Sequence, residues 1–469
     1  MRGSTFLCFV LTPALAILAA PALLSAPRAV AVEWADLPAS IQRRLTSKDV
    51  TAASFPAFRT DLDRRTQERV RESDIDALIY YALQSASFTK ERPIEPALSA
   101  KAYVEGLDSV TRARFLKGEA EPIERIPRDA RDRIAAFAVA LEKPQPFSRL
   151  GYLGDIARTL SGGPKSSTPS TTVLLQEYAR SMRFLFQKEF APREGPDPAA
   201  AIATLYRTRG LSTDTAIEAG YLVHLGLATL KAADPGRRIQ RVLIVGPGLD
   251  LAPRTGLLEA GPPESYQPYA VVDALVGLNL SVLDQLQVIG ADVNPRVVQH
   301  LARASSASVS LTLLSGVGDS DSLTLQDDFR RYFQDLGRSI ATATGHEPQP
   351  HGYHGHLRKS IAVRPEASRV VDGAALNIVT ERLAGGPYDL VIATNIFPYL
   401  DDMSLVMALT NIAAMLAPGG ILLHNEPRPL MGELTAELGL PLAHARTAII
   451  ATVRGAPPLY DSAFVHRKS

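Results

Sequence analysis

The sequence has almost no cysteine and almost no excess charge of either sign. Cys8 is the one cysteine among 469 residues, which excludes a disulfide scaffold, a zinc ribbon and a cysteine-ligated metal cluster. The chain has 50 lysines and arginines against 49 aspartates and glutamates, so no overall field directs it to nucleic acid or to an anionic membrane. Its length and ordinary hydrophobic share predict a globular protein of two or three domains.

The first 31 residues have the three parts of a secretory signal peptide. Arg2 precedes an apolar stretch from Phe6 to Leu24, and Ala29 to Ala31 gives a small-x-small cleavage site. Pro13 and Pro21 would disturb a membrane-spanning helix. We therefore expect cleavage after Ala31, export to the periplasm or the extracellular space, and no stable membrane span afterwards. The alternatives are an uncleaved anchor, or a cytoplasmic protein whose start codon is misassigned.

The region after the signal has the periodicity of helices. One predicted helix has Ile75, Leu78, Ile79 and Leu83 on a single face, and another spans Arg128 to Glu142. We expect a mostly helical domain over 32–160, a Ser-, Gly- and Pro-rich linker over 161–171, and bridging helices over 172–235. The run Thr215 to Glu218 predicts a capping box at the start of the last bridging helix.

After Gly236, short β-branched runs alternate with helical stretches, which predicts an α/β fold with a parallel sheet covered on both faces. The turn Gly455 to Pro458 separates the last two runs without a helix, so we expect these two strands to be antiparallel. The predicted strands are Arg241–Val245, Leu286–Ala291, Leu376–Val379, Leu390–Thr394, Gly420–His424, Thr447–Val453 and Ser462–His466.

Glycines and polar residues follow the predicted strands. Gly246 and Gly248 come directly after the first strand and let the backbone approach a ligand closely. Glycine turns after strands are also common for structural reasons. Asp292 ends the second strand, where a carboxylate can accept both hydroxyls of a ribose. A helix N-cap or a turn explains this aspartate equally well when it is taken alone.

The order of these motifs resembles the class I S-adenosylmethionine-dependent methyltransferases. The glycine turn and Asp292 are followed by a Tyr-Asp-Leu-Val strand at Tyr388–Val391 and a Leu-x-Pro-Gly-Gly turn at Leu416–Gly420. The resemblance covers roughly Leu211 to Ser469. It implies a Rossmann-like sheet of seven strands with a reversed terminal hairpin over 236–469, and S-adenosylmethionine as cofactor. A dinucleotide dehydrogenase is the competing nucleotide fold, but Leu251 stands where it would need a third glycine.

The resemblance also implies roles for individual residues. Gly246 and Gly248 would lie under the methionine part of the cofactor, and Asp292 would hold the ribose. Glu381 would lie near the adenine, and Asn395 would face the destination of the methyl group.

The stretch from Asn395 to Tyr399 is similar to the Asn-x-x-x-Tyr stretch of chemotaxis-receptor glutamate O-methyltransferases. It is also loosely similar to the Asn-Pro-Pro-Tyr motif of amino-group methyltransferases, although no proline directly follows Asn395. Tyr399 is therefore a second candidate catalytic residue beside Asn395. The alternative is that Tyr399 packs as an aromatic side chain at a strand–helix turn.

Three features depart from the family pattern. Ile244 stands where an acidic residue often precedes the first glycine, and Asp250 replaces the usual third glycine. The Asp250 carboxylate would either hold the amino group of the cofactor or obstruct the cofactor. Asp292 follows Gly248 by 44 residues, about twice the usual spacing of roughly 20. We expect residues 253–275 to fill this gap as an extended loop.

A longer insertion is predicted over 305–375, on the substrate side of the domain. It contains His351, His354 and His356 within six residues, and imidazole suits zinc or copper. A glycine-rich loop explains the cluster equally well, and we assign no metal to it.

Two functions follow as alternatives. The first is methyl transfer from S-adenosylmethionine, by in-line displacement, to an unidentified acceptor that is a small molecule or a protein. The second is a non-catalytic exported binding or scaffold protein that retains the fold. The signal peptide favours the second, because S-adenosylmethionine is made inside cells. No nucleic-acid partner is evident.

Overall fold

The structure, a computed structural model, describes residues 27–143, 148–160, 169–190, 204–207, 209–251, 262–305, 307–344 and 355–469. The first half is helical, as predicted, and the helices expected near Ile75 and Arg128 are present. Its helices are α1 (Ala39–Thr46), α2 (Phe55–Arg71), α3 (Ile75–Gln84), α4 (Pro96–Glu105), α5 (Ser109–Leu116), α6 (Arg128–Ala140), α7 (Arg149–Leu160), α8 (Thr171–Glu189) and α9 (Ile217–Ala233).

The second half alternates strands and helices, which confirms the α/β prediction. Its helices are α10 (Gln267–Gly277), α11 (Pro295–Ala304), α12 (Asp327–Asp335), α13 (Pro365–Ser368), α14 (Asp402–Met415) and α15 (Pro429–Glu437). The strands of the chain are β1 (Ala29–Ala31), β2 (Arg241–Val245), β3 (Gln287–Asp292), β4 (Ser310–Gly318), β5 (Leu323–Leu325), β6 (Ala341–Thr344), β7 (His356–Val363), β8 (Val371–Ala375), β9 (Glu381–Leu383), β10 (Tyr388–Ala393), β11 (Leu416–His424), β12 (Leu442–Val453) and β13 (Ala456–Arg467).

The main sheet has eight strands in the order β5-β12-β13-β11-β10-β2-β3-β8, one more than the seven predicted. The added strand is the three-residue β5, which pairs with β12 at the edge. Strands β8, β3, β2, β10 and β11 are parallel. Strand β13 is antiparallel to both of its neighbours, β11 and β12. The chain begins the sheet at β2 and later places strands on both sides of it.

The predicted third strand was wrong. Residues 376–379 form the loop after β8, and the strand itself is Val371–Ala375. Gly373 in β8 lies against helix α11, where a Cβ atom would come within 2.8 Å of the Val298 carbonyl oxygen. Because β8 pairs in parallel with β3, it belongs to the main sheet rather than to the expected insertion over 305–375. Strands β4, β7 and β6, which lie within that segment, form a separate antiparallel sheet.

Two further local predictions were wrong. Helix α10 begins at Gln267, inside the predicted loop over 253–275, and residues 253–261 of that loop lie outside the described part of the chain. The capping box at Thr215 is not formed, because the N-cap of α9 is Ala216 without a side-chain cap. Glu218 instead accepts hydrogen bonds from the backbone N–H groups of Gly316 and Val317, at 2.9 and 3.2 Å. This carboxylate joins α9 to strand β4.

The helical first half and the sheet share hydrophobic cores. On one face, Phe55 and Leu62 of α2 pack in a cluster with Val391 of β10 and with helix α14. On the other face, residues of α3 to α9 pack in a cluster that includes Ile392. The N-terminal helices therefore supply part of the cover on both faces of the sheet, which brings α2 close to the strand ends.

The predicted signal peptide falls mostly on residues 1–26, which lie outside the described residues. The expected cleavage site, Ala29 to Ala31, is strand β1 and pairs antiparallel with Glu381 to Leu383. Val32 is 1% exposed, and its backbone N–H donates to the Thr380 carbonyl at 3.0 Å. In the part of the chain that the structure describes, no helix combines the length and the apolarity needed to cross a bilayer.

A chain that starts at Val32 is expected to be less stable than one that starts at Pro27. The shorter chain lacks the β1–β9 pairing and the hydrogen bond from the Ala384 N–H to the Arg28 carbonyl. Backbone hydrogen bonds contribute about 1 kcal/mol each, so the loss should be roughly 1–3 kcal/mol. Urea unfolding of both chains measures it. Equal unfolding midpoints would show that β1 does not stabilise the fold.

Candidate active site

A cleft lies at the carboxyl ends of β2, β3, β8 and β10, and it has about 880 Å³ of empty space, part of it open to solvent. These strands flank the place where the strand order reverses around β2, which is where open α/β sheets bind ligands. Helix α2 and the segment before α9 also contribute residues to the cleft wall. The lining residues are Thr66, Arg69, 211–215, Val245, Gly246, Gly248, 291–294, 376–379, 394–396, Tyr399 and Leu400.

The glycine turn after β2 lines the cleft as predicted from its position. Gly246 and Gly248 have φ angles of 65° and 79°, in the left-handed region that favours glycine. The Gly246 N–H donates to the Ala291 carbonyl at 2.8 Å, which ties the turn to β3. A side chain on Gly248 would overlap the Thr215 hydroxyl and the Thr213 carbonyl oxygen. The absence of a side chain there serves the packing of this chain's own segment 211–215.

Asp292, the last residue of β3, lies in the cleft wall with its carboxylate largely buried. One carboxylate oxygen accepts a hydrogen bond from the Asn294 N–H at 2.8 Å. Burial, together with a smaller contribution from the nearby Asp74 carboxylate, raises the pKa of Asp292 to about 7, against the lowering effect of the backbone donors. A substantial fraction of this carboxyl is therefore protonated at neutral pH.

Asp74, which directly precedes helix α3, is a second buried carboxylate beside the cleft. Its backbone is left-handed, with φ 64°. It accepts hydrogen bonds from the Thr213 N–H at 2.8 Å and the Thr213 hydroxyl at 2.9 Å, and one from the Asn294 amide at 3.4 Å. Burial raises its pKa to about 6. Asp74 thus links the helical region to two residues of the cleft wall.

Asn395 and Tyr399 lie together in the cleft wall after β10. Asn395 is exposed and has a left-handed backbone with φ 60°. The Tyr399 ring packs edge-on against Tyr206 at 5.5 Å, and burial raises the pKa of its hydroxyl to about 12. Tyr399 therefore keeps its proton at neutral pH.

Asp250 and Glu381 lie outside the residues that line the cleft. Asp250 is buried, with its carboxylate 3.7 Å from the Arg149 guanidinium. Glu381 belongs to β9, and its carboxylate accepts a hydrogen bond from the Asn377 N–H at 2.8 Å. Because Asn377 itself lines the cleft, Glu381 supports the loop after β8 from behind.

The histidine cluster of the insertion is described only in part. His351 and His354 lie outside the described residues, and the Nδ1 atom of His356 lies 2.8 Å from the Ser315 carbonyl oxygen. Within the described ranges, no group of three His, Cys, Asp or Glu side chains is placed to hold a metal ion.

Two contributions to the cleft were not predicted from the sequence. Arg69 reaches it from α2 and donates to the Tyr399 carbonyl at 2.6 Å. The buried Gln267, at the start of α10, donates through its amide nitrogen to the Thr394 hydroxyl at 2.8 Å. Neither residue belongs to a motif, and both depend on helices that pack across the strand ends.

Comparisons with known proteins give similarities to solved structures. The magnesium protoporphyrin IX methyltransferase from Synechocystis is 11% identical with a TM-score of 0.27, over 59% of this chain and 86% of its own. A TehB-like methyltransferase from Corynebacterium glutamicum is 14% identical with a TM-score of 0.25, and the match covers 52% of this chain and 88% of that protein. The N-methyltransferase NodS from Bradyrhizobium japonicum is also 14% identical with a TM-score of 0.25, and the match covers 52% of this chain and 85% of NodS. These three proteins are methyltransferases. No family model and no curated protein matches the chain.

Proposed function

We propose that residues 236–469 form a class I methyltransferase domain that binds S-adenosylmethionine in the cleft and transfers its methyl group to an acceptor at the Asn395–Tyr399 end. The observation that carries the proposal is the position of Asp292. Asp292 ends the strand beside the glycine turn and lies in the cleft at the reversal of strand order. This position supports the proposal, because a carboxylate there can accept two ribose hydroxyls. The sulfonium of the cofactor supplies a methyl group that is already labile.

The protein's task in such a reaction is to align the acceptor and exclude water. In the cleft, the left-handed backbone of Gly246 and Gly248 would form the turn beside the ligand, and Asp292 would orient the ribose. Residues of helix α2 and of the segment 211–215 line the cleft together with the strand ends. The helical region would therefore complete the active site rather than act as a separate module.

The test is a thermal-shift titration of the full chain with S-adenosylmethionine and S-adenosylhomocysteine. A ligand at about 100 times its Kd adds about 2.7 kcal/mol to stability. Asp292→Ala is expected to weaken binding of both ligands by about a hundredfold, because the two hydrogen bonds that the ribose would donate to the ionised form of this carboxyl are lost.

Glu381→Gln is the matched control. The glutamine keeps an oxygen acceptor for the Asn377 N–H and lies outside the cleft wall, so we expect it to change the affinity less than twofold. No shift at millimolar ligand would overturn the enzyme proposal and favour a binding or scaffold protein that has kept the fold. Equal losses in both variants would point to a general loss of folding.

A further inference from the structure

We infer that the methyl acceptor in this cleft is a carboxylate and that the product is a methyl ester. The inference rests on the proposed function and names its substrate class. Three observations carry it: the orientation of the Asn395 amide, the unused donors of Arg69, and the lack of a suitable base in the cleft wall.

The hydrogen bonds around Asn425 fix the orientation of the Asn395 amide. The Asn395 backbone N–H, which can only donate, lies 2.9 Å from one side-chain atom of Asn425, so that atom is the oxygen. The Asn425 amide nitrogen then donates to the Asn395 side-chain oxygen at 2.8 Å and to the Asp461 carboxylate at 2.9 Å. The Asn395 side chain consequently has its oxygen engaged and its two N–H donors available to a ligand.

Arg69 adds two more donors. A guanidinium has five N–H groups, and three of them are engaged by the carbonyls of Tyr399, Arg209 and Tyr206 at 2.6–2.9 Å. These carbonyls carry no net charge. Arg65 and Arg428, by comparison, lie 3.3 and 3.8 Å from carboxylates of Asp401 and Asp402.

Among the described residues, no carboxylate lies within 4.0 Å of Arg69, which lines the cleft. The charges of Asp401 and Glu72 act on Arg69 from beyond that distance, so a substrate carboxylate would be the first to contact it directly. Charge-assisted hydrogen bonds of this kind are about twice as strong as neutral ones.

The described cleft wall also has no histidine, lysine, cysteine or glutamate that could remove a proton from an acceptor. Tyr399 keeps its own proton, and Asp292 would bind the ribose. The other carboxylate of the described wall, Asp214, belongs to the segment that packs against Gly248 and not to the loop after β10 that contains Asn395. An alcohol or an ammonium group must lose a proton in order to be methylated, whereas a carboxylic acid is already ionised at neutral pH.

The reaction then needs no proton transfer. A lone pair of the carboxylate oxygen forms the new O–C bond to the methyl carbon while the C–S bond breaks and its electron pair stays on sulfur. The negative carboxylate and the positive sulfonium become a neutral ester and a neutral thioether, so charge balances. Arg69 and the Asn395 amide would hold the oxygen that does not react.

The experiment uses the full-length protein saturated with S-adenosylhomocysteine and three probes followed by fluorine NMR: 4-fluorobenzoate, 4-fluorobenzamide and 4-fluorobenzylamine. We expect 4-fluorobenzoate to bind at least tenfold more tightly than either of the others. Asn395→Asp, which replaces two donors by a carboxylate at a left-handed position that aspartate tolerates, should weaken 4-fluorobenzoate at least tenfold. Arg69→Lys should also weaken it.

Arg65→Met is the matched control on the same helix, and it should change the Kd of 4-fluorobenzoate less than twofold. Binding of S-adenosylhomocysteine reports folding in every variant. If the natural protein does not bind S-adenosylhomocysteine, the proposed function itself is overturned. Retained binding with equal affinity for benzoate and benzamide, or with a preference for benzylamine, would overturn the carboxylate inference alone.

Discussion

An Asp292→Asn variant is expected to match the natural protein in stability at pH 4 and to exceed it by several kcal/mol at pH 8. Burial raises the pKa of Asp292 to about 7 in the folded protein, against about 3.9 in an unfolded chain. Between these values the folded state keeps a proton that the unfolded state releases. The stability contributed by this group therefore falls as the pH rises from about 4 to about 7, and it stays lost above that. Asparagine resembles the protonated form at every pH.

The magnitude follows from roughly 1.4 kcal/mol for each pKa unit between the folded and unfolded states. The measurement is urea unfolding of both proteins at pH 4, 6 and 8, with the difference between them plotted against pH. The difference is needed because burial lowers the pKa of His300 to about 4 and that of His424 to about 3. These two groups make the protein as a whole more stable as the pH rises towards 6.5, the opposite trend.

Asp74→Asn should also gain stability over the natural protein as the pH rises, but over a narrower pH range, since burial raises the pKa of Asp74 only to about 6. A difference between Asp292→Asn and the natural protein that is constant from pH 4 to pH 8 would contradict the burial of this carboxyl.

The second large effect is expected at the glycine turn, where Gly248→Ala should destabilise the protein by about 3 kcal/mol or more. The added Cβ atom would overlap the Thr215 hydroxyl and the Thr213 carbonyl oxygen, and overpacking of this kind costs roughly 1–3 kcal/mol. The φ angle of 79° adds a further 1–2 kcal/mol for a residue with a side chain. Chemical unfolding monitored by far-ultraviolet circular dichroism measures the loss.

Gly432→Ala is the matched control for this substitution. Gly432 lies inside helix α15 with nothing within 4 Å of an added Cβ atom. Alanine favours a helix over glycine by about 1 kcal/mol, so this variant should be more stable than the natural protein. The same replacement of glycine by alanine should thus lower the free energy of unfolding at position 248 and raise it at position 432. An unchanged stability for Gly248→Ala would mean that the segment 211–215 does not pack on the turn.

The residues that follow strands were predictable from the sequence because a parallel sheet gathers its carboxyl ends at one edge. Gly246, Gly248, Asp292, Asn395 and Tyr399 lie far apart in the chain, yet all of them line one cleft. They lie at the ends of three strands, β2, β3 and β10, and the hydrophobic runs identify those strands.

Residues on helices were not predictable in this way. The periodicity of α2 shows which side of the helix is apolar but not which strand ends it covers. Arg69 contacts a carbonyl 330 positions further along the chain. Asp250 shows the same limit, because its carboxylate lies near Arg149, 101 positions earlier. Sequence spacing has no information about either distance.

The misplaced third strand has a different cause. The run Leu376–Val379 has the stronger β propensity, whereas β8 contains an aspartate, a glycine and two alanines. The close approach of helix α11 requires a small residue at Gly373. Packing between helix and sheet therefore overrides local preference at this strand.

The pairing of β1 with β9 has a consequence for the order of events during biogenesis. A peptidase binds its substrate as an extended, accessible segment, and in the folded protein the bond between Ala31 and Val32 joins a paired strand to a residue that is 1% exposed. Removal of a leader at this bond would have to precede folding of the chain. Once β1 has paired with β9, the native structure would block cleavage at this bond.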